Sequence, residues 1–308
     1  KLNTFRLATY NIRNTTDYYS KRLPLLKKVF NQVDADLISM QEVSYLKGIN
    51  QVKDLDEKNK YFQFGTVNQL DVGKVNGNFE RGDTEFHVDG NMTLAKISLF
   101  ENLEEKLRDE LIKENTMKVL HLSPVHTAHM TSFYIDYPSF ELNSNNNDSS
   151  TGVQANIRRV KVNVVNTHLH HVISDENIRV FQMEYIIKWI NTITSDEELT
   201  FIQGDFNAEP DSLTYKYIIS KGYESLHQRH HGKEPKITFH SKMDAPFKDT
   251  DPDATLDFIF LRKNREVEVV THSVEVLGEE ECQINKGIYA SDHMALVLEF
   301  SVKEIINK

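Results

Sequence analysis

Six short apolar runs of this chain each stop or begin at a small group of polar residues, and this repeated junction limits the fold more than any other feature. Asn11 follows LATY, Gln41 and Glu42 follow DLISM, and Asn166, Thr167 and His168 follow VNVV. Asp205 and Asn207 follow FIQG, Asp257 lies inside TLDFIF, and Ser291, Asp292 and His293 precede MALVLEF. Short β-branched and aromatic runs bounded in this way read as buried strands. Rigid strands position their adjoining loops, so strand ends can collect groups that are distant in sequence. For a single cluster, turn chemistry is the simpler reading, because Asn, Asp and Ser are common where strands stop. It fails for the set: Asp257 is flanked by apolar residues, and Glu42 directly follows a buried run. A buried carboxylate is costly unless it is paired or bound to a metal.

The remaining segments alternate between strand and helix patterns. Further strands are expected at 61–67, 92–97, 118–123 and 267–276, beside those at 5–11, 36–42, 160–168, 200–203, 255–261 and 294–302. Helices are expected over 22–33, with Pro24 in the first turn, over a charged and exposed 103–113, over 176–192, and over 213–220, where Gly222 stops the helix. In the 176–192 helix, Ile178, Phe181, Tyr185, Ile186 and Trp189 make one apolar face. The polar stretch NSNNNDSSTG at 143–152 reads as a loop within a domain. Strands outnumber helices, and no composition break or internal repeat divides the chain. A single domain over 1–308 is expected, built of packed sheets flanked by helices.

Charge narrows the function. Against 36 Lys and Arg stand 46 Asp and Glu, a net of −10. A module that coats DNA by counterion release is usually basic. Clustered carboxylates instead hold divalent cations that then meet an anionic substrate. The scattered cations Arg158, Arg159, Lys161 and those of RHHGK at 229–233 read as a solvated face. His168, His170 and His171 raise a zinc reading, but the one distant cysteine and the oxygen-rich clusters favour a hard cation. His170 and His171 are accordingly read as loop or supporting residues. No apolar run approaches the roughly 18 residues of a membrane helix. The lone Cys282 cannot form an internal disulfide, which leans toward the cytoplasm. A start at Lys1 instead of Met reads as a processed or trimmed form.

Taken in order, TYNIR, MQEV, NTHLHH, GDFNAEPDS, LDFIFL and SDHMALVLEF resemble the successive motifs of the endonuclease/exonuclease/phosphatase superfamily, the deoxyribonuclease I-like fold. They run from Thr9 to Phe300. The resemblance implies an α/β fold, a four-layer α/β/β/α sandwich of two packed mixed β-sheets flanked by helices. It also implies phosphoester hydrolysis with Mg²⁺ or Mn²⁺. By the same resemblance Glu42 matches the principal metal ligand, Asn11 and Asp292 match residues of that metal site, and a second ion near Asp205 is allowed. Asp205 and Asn207 match the pair that orients the attacking water and contacts the scissile phosphate. His293 matches the catalytic histidine, Asp257 its carboxylate partner, and His168 a phosphate-contacting position. Between Val72 and Ser150 the usual strand motifs are blurred.

The residue types suit that chemistry on their own terms. Mg²⁺ takes oxygen ligands and keeps waters, so one or two carboxylates and an amide are enough. A His beside an Asp has a fixed tautomer, and an Asn donates to an oxyanion without adding charge. The leading expectation is a metal-dependent phosphoesterase acting on a small or lipid-linked phosphodiester or phosphomonoester. The runner-up is a nuclease for single-stranded RNA or DNA. GDFNAEPDS followed by Tyr215 is similar to both the nocturnin-like deadenylase branch and the neutral sphingomyelinases. An inactive binding module is disfavoured, because every acidic and histidine position is present.

Overall fold

Along the first strand, Leu7 faces one apolar layer while Ala8 and Tyr10 face another. Alternation of this kind places a strand between two layers, and the computed structural model builds the whole molecule around it. It describes residues 3–15, 18–46, 49–67, 89–123, 126–142, 153–244 and 250–305. The expected loop at 143–152 lies outside the described residues.

Strands and helices are numbered in chain order. One mixed sheet holds β1 (Phe5–Asn11), β2 (Leu37–Leu46), β4 (Tyr61–Val67), β5 (Asp89–Lys96), β12 (Val267–Leu277) and β13 (Ala295–Glu304), with short β3 (Ile49–Asn50) paired to β2. Its order is β12-β13-β1-β2-β5-β4. The other holds β6 (Val119–Ser123), β7 (His126–Leu142), β8 (Val153–His168), β9 (Leu199–Asp205), β10 (Tyr223–Ser225) and β11 (Asp257–Arg262), in the order β10-β11-β9-β8-β7-β6. The helices are α1 (Tyr19–Val33), α2 (Gln51–Leu55), α3 (Ser98–Glu101), α4 (Glu105–Met117), α5 (Glu176–Ile193), α6 (Leu213–Ser220) and α7 (Leu226–His231). Only β1–β2 and β8–β9 pair in parallel, so both sheets are mixed.

Three apolar cores make the expected four layers. Leu7, Leu298 and Phe300 meet Phe133, Val164 and Phe201 between the sheets. Leu26, Val29 and Phe30 of α1 cover the first sheet, and Met183, Ile186 and Ile190 of α5 cover the second. At one end the space between the sheets turns polar. Gln203 Nε2 donates to the Ala8 carbonyl (2.7 Å) and to Ser39 Oγ (2.9 Å), and Gln41 Nε2 donates to Asn166 Oδ1 (2.8 Å). Asn166 Nδ2 in turn reaches the Met40 and Met92 carbonyls. Every group in this layer is buried, so each bond removes a desolvation cost as well as tying sheet to sheet. No helix among the described residues is long and apolar enough to cross a membrane.

Three expectations need correction. Helix α1 begins at Tyr19, three residues before the expected start, so Pro24 lies in its second turn; Arg22 is fully buried and donates to the carbonyls of Ile12, Arg13, Asn14 and Ala290. On α5 the expected face is mostly the wet one, with Ile178, Phe181 and Tyr185 at 45%, 57% and 48% exposure. The buried face includes the polar pair Arg179 and Gln182, because these hold the loop before the helix: Arg179 donates to the carbonyls of His170, Val172 and Ile173, and Gln182 Oε1 accepts from the His170 amide (2.9 Å). The long strand β7 went unassigned because polar Thr127, His129, Thr131 and Ser132 break its apolar pattern, yet all are buried. Asn115 of α4 satisfies several of them, bonding the Ser132 amide and carbonyl and receiving His129 Nε2 at its own carbonyl.

Candidate active site

Strand register alone lines up half of the site. His168 at the end of β8 lies opposite Asp205 at the end of β9, and Asp205 lies opposite Asp257 at the start of β11. The other half comes from the facing sheet, where Asn11 ends β1 and Asp292 and His293 lead into β13. Glu42 is aimed by a β-bulge. Between Met40 and Val43, two residues of β2 oppose the single Asn91 of β5, and Glu42 takes a left-handed φ of 54°. Bulges of this kind redirect a side chain next to functional sites. Asn207 shares the left-handed strain, at φ 48°, two residues past the end of β9. Arg13 (φ 49°) and Asp211 (φ 71°) line the same cavity, and strain gathered at four non-glycine positions around one cavity is the pattern expected of a working site.

The residues converge on Asp205. Asn11 Nδ2 donates to Asp205 Oδ2 and to Glu42 Oε1, 3.0 Å each, while Asn11 Oδ1 accepts from the Arg13 amide. His168 Nε2 and His293 Nε2 stand 3.4 and 3.5 Å from the same Asp205 oxygen. The Asn207 amide donates to Asp205 Oδ1 (2.9 Å), and its side chain donates to the Leu169 carbonyl (3.0 Å). His293 Nδ1 lies 2.9 Å from Asp257 Oδ2, and Phe239 packs against the imidazole. All eight residues expected from the sequence are thus brought to one place. Gln41 and Asn166, which share their strand ends, instead tie the sheets together.

Electrostatics separates the roles. Burial works against a charge on His293, but the Asp257 and Asp205 carboxylates outweigh it and hold the imidazole well above its ordinary value. Burial pushes the Asp257 carboxyl up, with the His293 cation pulling the other way. For Asp292, burial also disfavours the charge, yet His293 and Arg13 keep the carboxyl below its usual range. Arg13 pairs directly with Asp292, and Ser291 Oγ donates to its other oxygen. Sequence reasoning missed Arg13; its position two residues past Asn11 in TYNIR was the available signal. It also missed Thr238, whose hydroxyl accepts from the Asp257 amide (3.0 Å).

The site opens into a cavity of about 890 Å³ whose lining includes seven carboxylate residues and two arginines. Both arginines are engaged, Arg13 with Asp292 and Arg179 with loop carbonyls. Four of the outlying cations are paired too: Arg159 with Asp136, Lys161 with Glu114, Arg158 with Glu304 and Arg229 with Glu224. The donor set fits a hard divalent cation: the Glu42 and Asp205 carboxylates stand on either side of one neutral amide.

Gly204 explains why β9 can bring Asp205 so close to β8. At φ 151°, an added Cβ would sit 1.9 Å from the Thr167 carbonyl oxygen. We expect Gly204→Ala to destabilise the fold by about 4 kcal/mol or more, the range reserved for backbone conflicts. Urea unfolding checks this; a loss below about 1 kcal/mol would show that β8 and β9 separate easily.

A family model described as the Endonuclease/Exonuclease/phosphatase family matches residues 8–293. Nocturnin of Rattus norvegicus is 29% identical over 148 residues, covering 45% of this chain and 33% of nocturnin. The CCR4-Not complex 3'-5'-exoribonuclease subunit Ccr4 of Candida albicans is 25% identical over 172 residues, covering 47% of this chain and 22% of Ccr4. The matches thus span a third or less of these curated relatives. The crystal structure of an endonuclease/exonuclease/phosphatase from Bacteroides vulgatus superimposes with a TM-score of 0.58 at 19% identity, covering 98% of this chain and 100% of that one.

Proposed function

The chain belongs to the endonuclease/exonuclease/phosphatase family, and on that footing we propose that it is a Mg²⁺- or Mn²⁺-dependent hydrolase of a phosphodiester or phosphomonoester. One observation carries the reading: the Glu42 and Asp205 carboxylates flank the Asn11 amide at 3.0 Å, beside the His293–Asp257 pair, in an acid-lined cavity. Glu42 would hold the cation, with Asn11 and Asp292 beside it. Bound there, a hard cation supplies positive charge to the phosphoryl oxygens.

The protein's own groups supply the rest. Asp205 orients the attacking water and accepts its proton. The His293 imidazolium, fixed through Nδ1 by Asp257, faces the negative charge that develops on the phosphoryl group. Asn207 has a second amide proton beyond the one given to Leu169, and directs it at the same oxygens. His168, beside the same Asp205 oxygen as His293, contacts the phosphate.

The charge balance favours a small or short substrate over a long duplex. Gripping n phosphates with Lys or Arg gives a salt slope of about −0.9n for duplex DNA. With both cavity arginines engaged, we expect one or two such contacts and a slope no steeper than about −2. A panel of bis-p-nitrophenyl phosphate, sphingomyelin, phosphoinositides, phosphorylated nucleotides, single-stranded RNA and duplex DNA tests this, each with Mg²⁺ or Mn²⁺ and across salt. No hydrolysis of any member would reject the enzyme reading. Strong preference for long duplex DNA with a steep slope would reject the small-substrate reading. The second reading, a nuclease for single-stranded nucleic acid, is favoured by the similarity to an exoribonuclease subunit. It predicts that RNA leads the panel.

A further inference from the structure

A second group of metal-ligating side chains stands at the mouth of the same cavity. His126 at the start of β7, and His170 and His171 in the loop after β8, each offer a ring nitrogen within 4.8 Å of the others. The rings of His126 and His170 are 5.6 Å apart, and those of His170 and His171 are 5.4 Å apart. The geometry points to a second metal site, formed by His126, His170 and His171, that takes a borderline transition ion of the Zn²⁺ class and not the hard cation of the Glu42 site.

Two features support a built site over a chance cluster. First, its outer contacts are those of metal-binding histidines, which usually donate their second ring nitrogen to a carboxylate or a neighbouring polar group. His170 Nε2 lies 3.0 Å from Asp175 Oδ2, and His126 Nδ1 lies 2.8 Å from Ser123 Oγ. These bonds leave His170 Nδ1 and His126 Nε2 as the coordinating atoms. Second, the loop is anchored: Arg179 and Gln182 of α5 bind its backbone from His170 to Ile173.

Nitrogen donors select the ion. Three imidazoles suit Zn²⁺, Cu²⁺ or Ni²⁺, whereas Mg²⁺ seeks oxygen. Tetrahedral Zn²⁺ with bonds of about 2.0–2.1 Å requires nitrogens about 3.4 Å apart, a closure that exposed His171 can make by side-chain rotation. His126 and His171 line the cavity that holds Asp205 and His293. A fourth coordination position therefore faces the substrate space, open to water or to an anionic group of the substrate. Of the histidines weighed for zinc in the sequence, His168 turns to Asp205, and His126 arrives from a different strand.

Zinc binding can be measured without turnover, so this site stands or falls apart from the phosphoesterase reading. Equilibrium dialysis of the full chain against Zn²⁺, in excess Mg²⁺, should give one tightly bound zinc. Asp175→Asn, which only removes the support behind His170, should weaken binding by about 10- to 100-fold. His171→Ala should weaken it further, and Glu42→Gln should leave it unchanged. Co²⁺ in place of zinc should give the intense visible absorption of a tetrahedral nitrogen site, lost in His171→Ala. Zinc binding absent in the parent, insensitive to both Asp175→Asn and His171→Ala, or lost with Glu42→Gln would overturn the assignment.

Discussion

Replacing His293 by alanine is expected to lower kcat by about 10²- to 10⁴-fold, the usual cost of removing a positioned proton-transfer or charge-stabilising group. Asp205→Asn should lose a similar amount. Asp257→Asn should lose less, because Asp257 acts only through His293, to which it is bound at 2.9 Å. The double variant His293→Ala/Asp257→Asn should then be no slower than His293→Ala alone, as for groups that work as one unit. Additive losses would show that Asp257 is purely structural.

The same pair fixes a pH signature. The carboxylates hold the His293 imidazolium above its ordinary range, so it stays charged as pH rises and loses its proton only well past the usual histidine value. Activity that needs this cation should fall along an alkaline limb displaced upward. Asp257→Asn removes a raising charge while the burial cost remains, so that limb should move to lower pH. A kcat–pH profile unchanged by Asp257→Asn would remove the cation from the mechanism.

The second large effect concerns the cation. EDTA is expected to abolish hydrolysis of bis-p-nitrophenyl phosphate, and Mg²⁺ or Mn²⁺ to restore it. Glu42→Gln keeps the size of the side chain and its left-handed backbone but removes the charge. It should raise the metal concentration for half-maximal rate roughly tenfold or more, since carboxylate charge sets affinity for hard cations. Circular dichroism of the variant should match that of the parent. Full activity of Glu42→Gln at low Mg²⁺ would move the cation elsewhere, with Asp205 the next candidate.

How far the sequence could be read depended on which physical signal each residue carried. The site residues were legible because each is a polar group at the end of an apolar strand, where burial makes an unpaired charge costly. The layers were legible through strand periodicity, as in β1. What escaped were cases where a polar residue is buried for structural reasons. Thr127, His129 and Ser132 concealed β7, since a pattern of apolar and polar residues cannot show that Asn115 of α4 will satisfy them. Arg179 and Gln182 shifted the reading of α5 in the same way, because their partners lie in a loop. His126 escaped for a third reason: it joins His170 only across the β7–β8 pairing, a contact with no local mark.

The position of β13 between β1 and β12 also sets the order of events during synthesis. Strand β1 pairs in parallel with β2, which follows soon after it in the chain, yet its antiparallel neighbour consists of residues 295–304, with Phe5 opposite Phe300. Until those residues leave the ribosome, β1 has one exposed edge and the first sheet stays divided. Contacts this distant in sequence close slowly, because the loop entropy is spent before any pairing compensates for it. Asp292 and His293 lie just ahead of that strand. A chain that ends before these residues carries Glu42 but lacks the Asp292 and His293 that complete the candidate site.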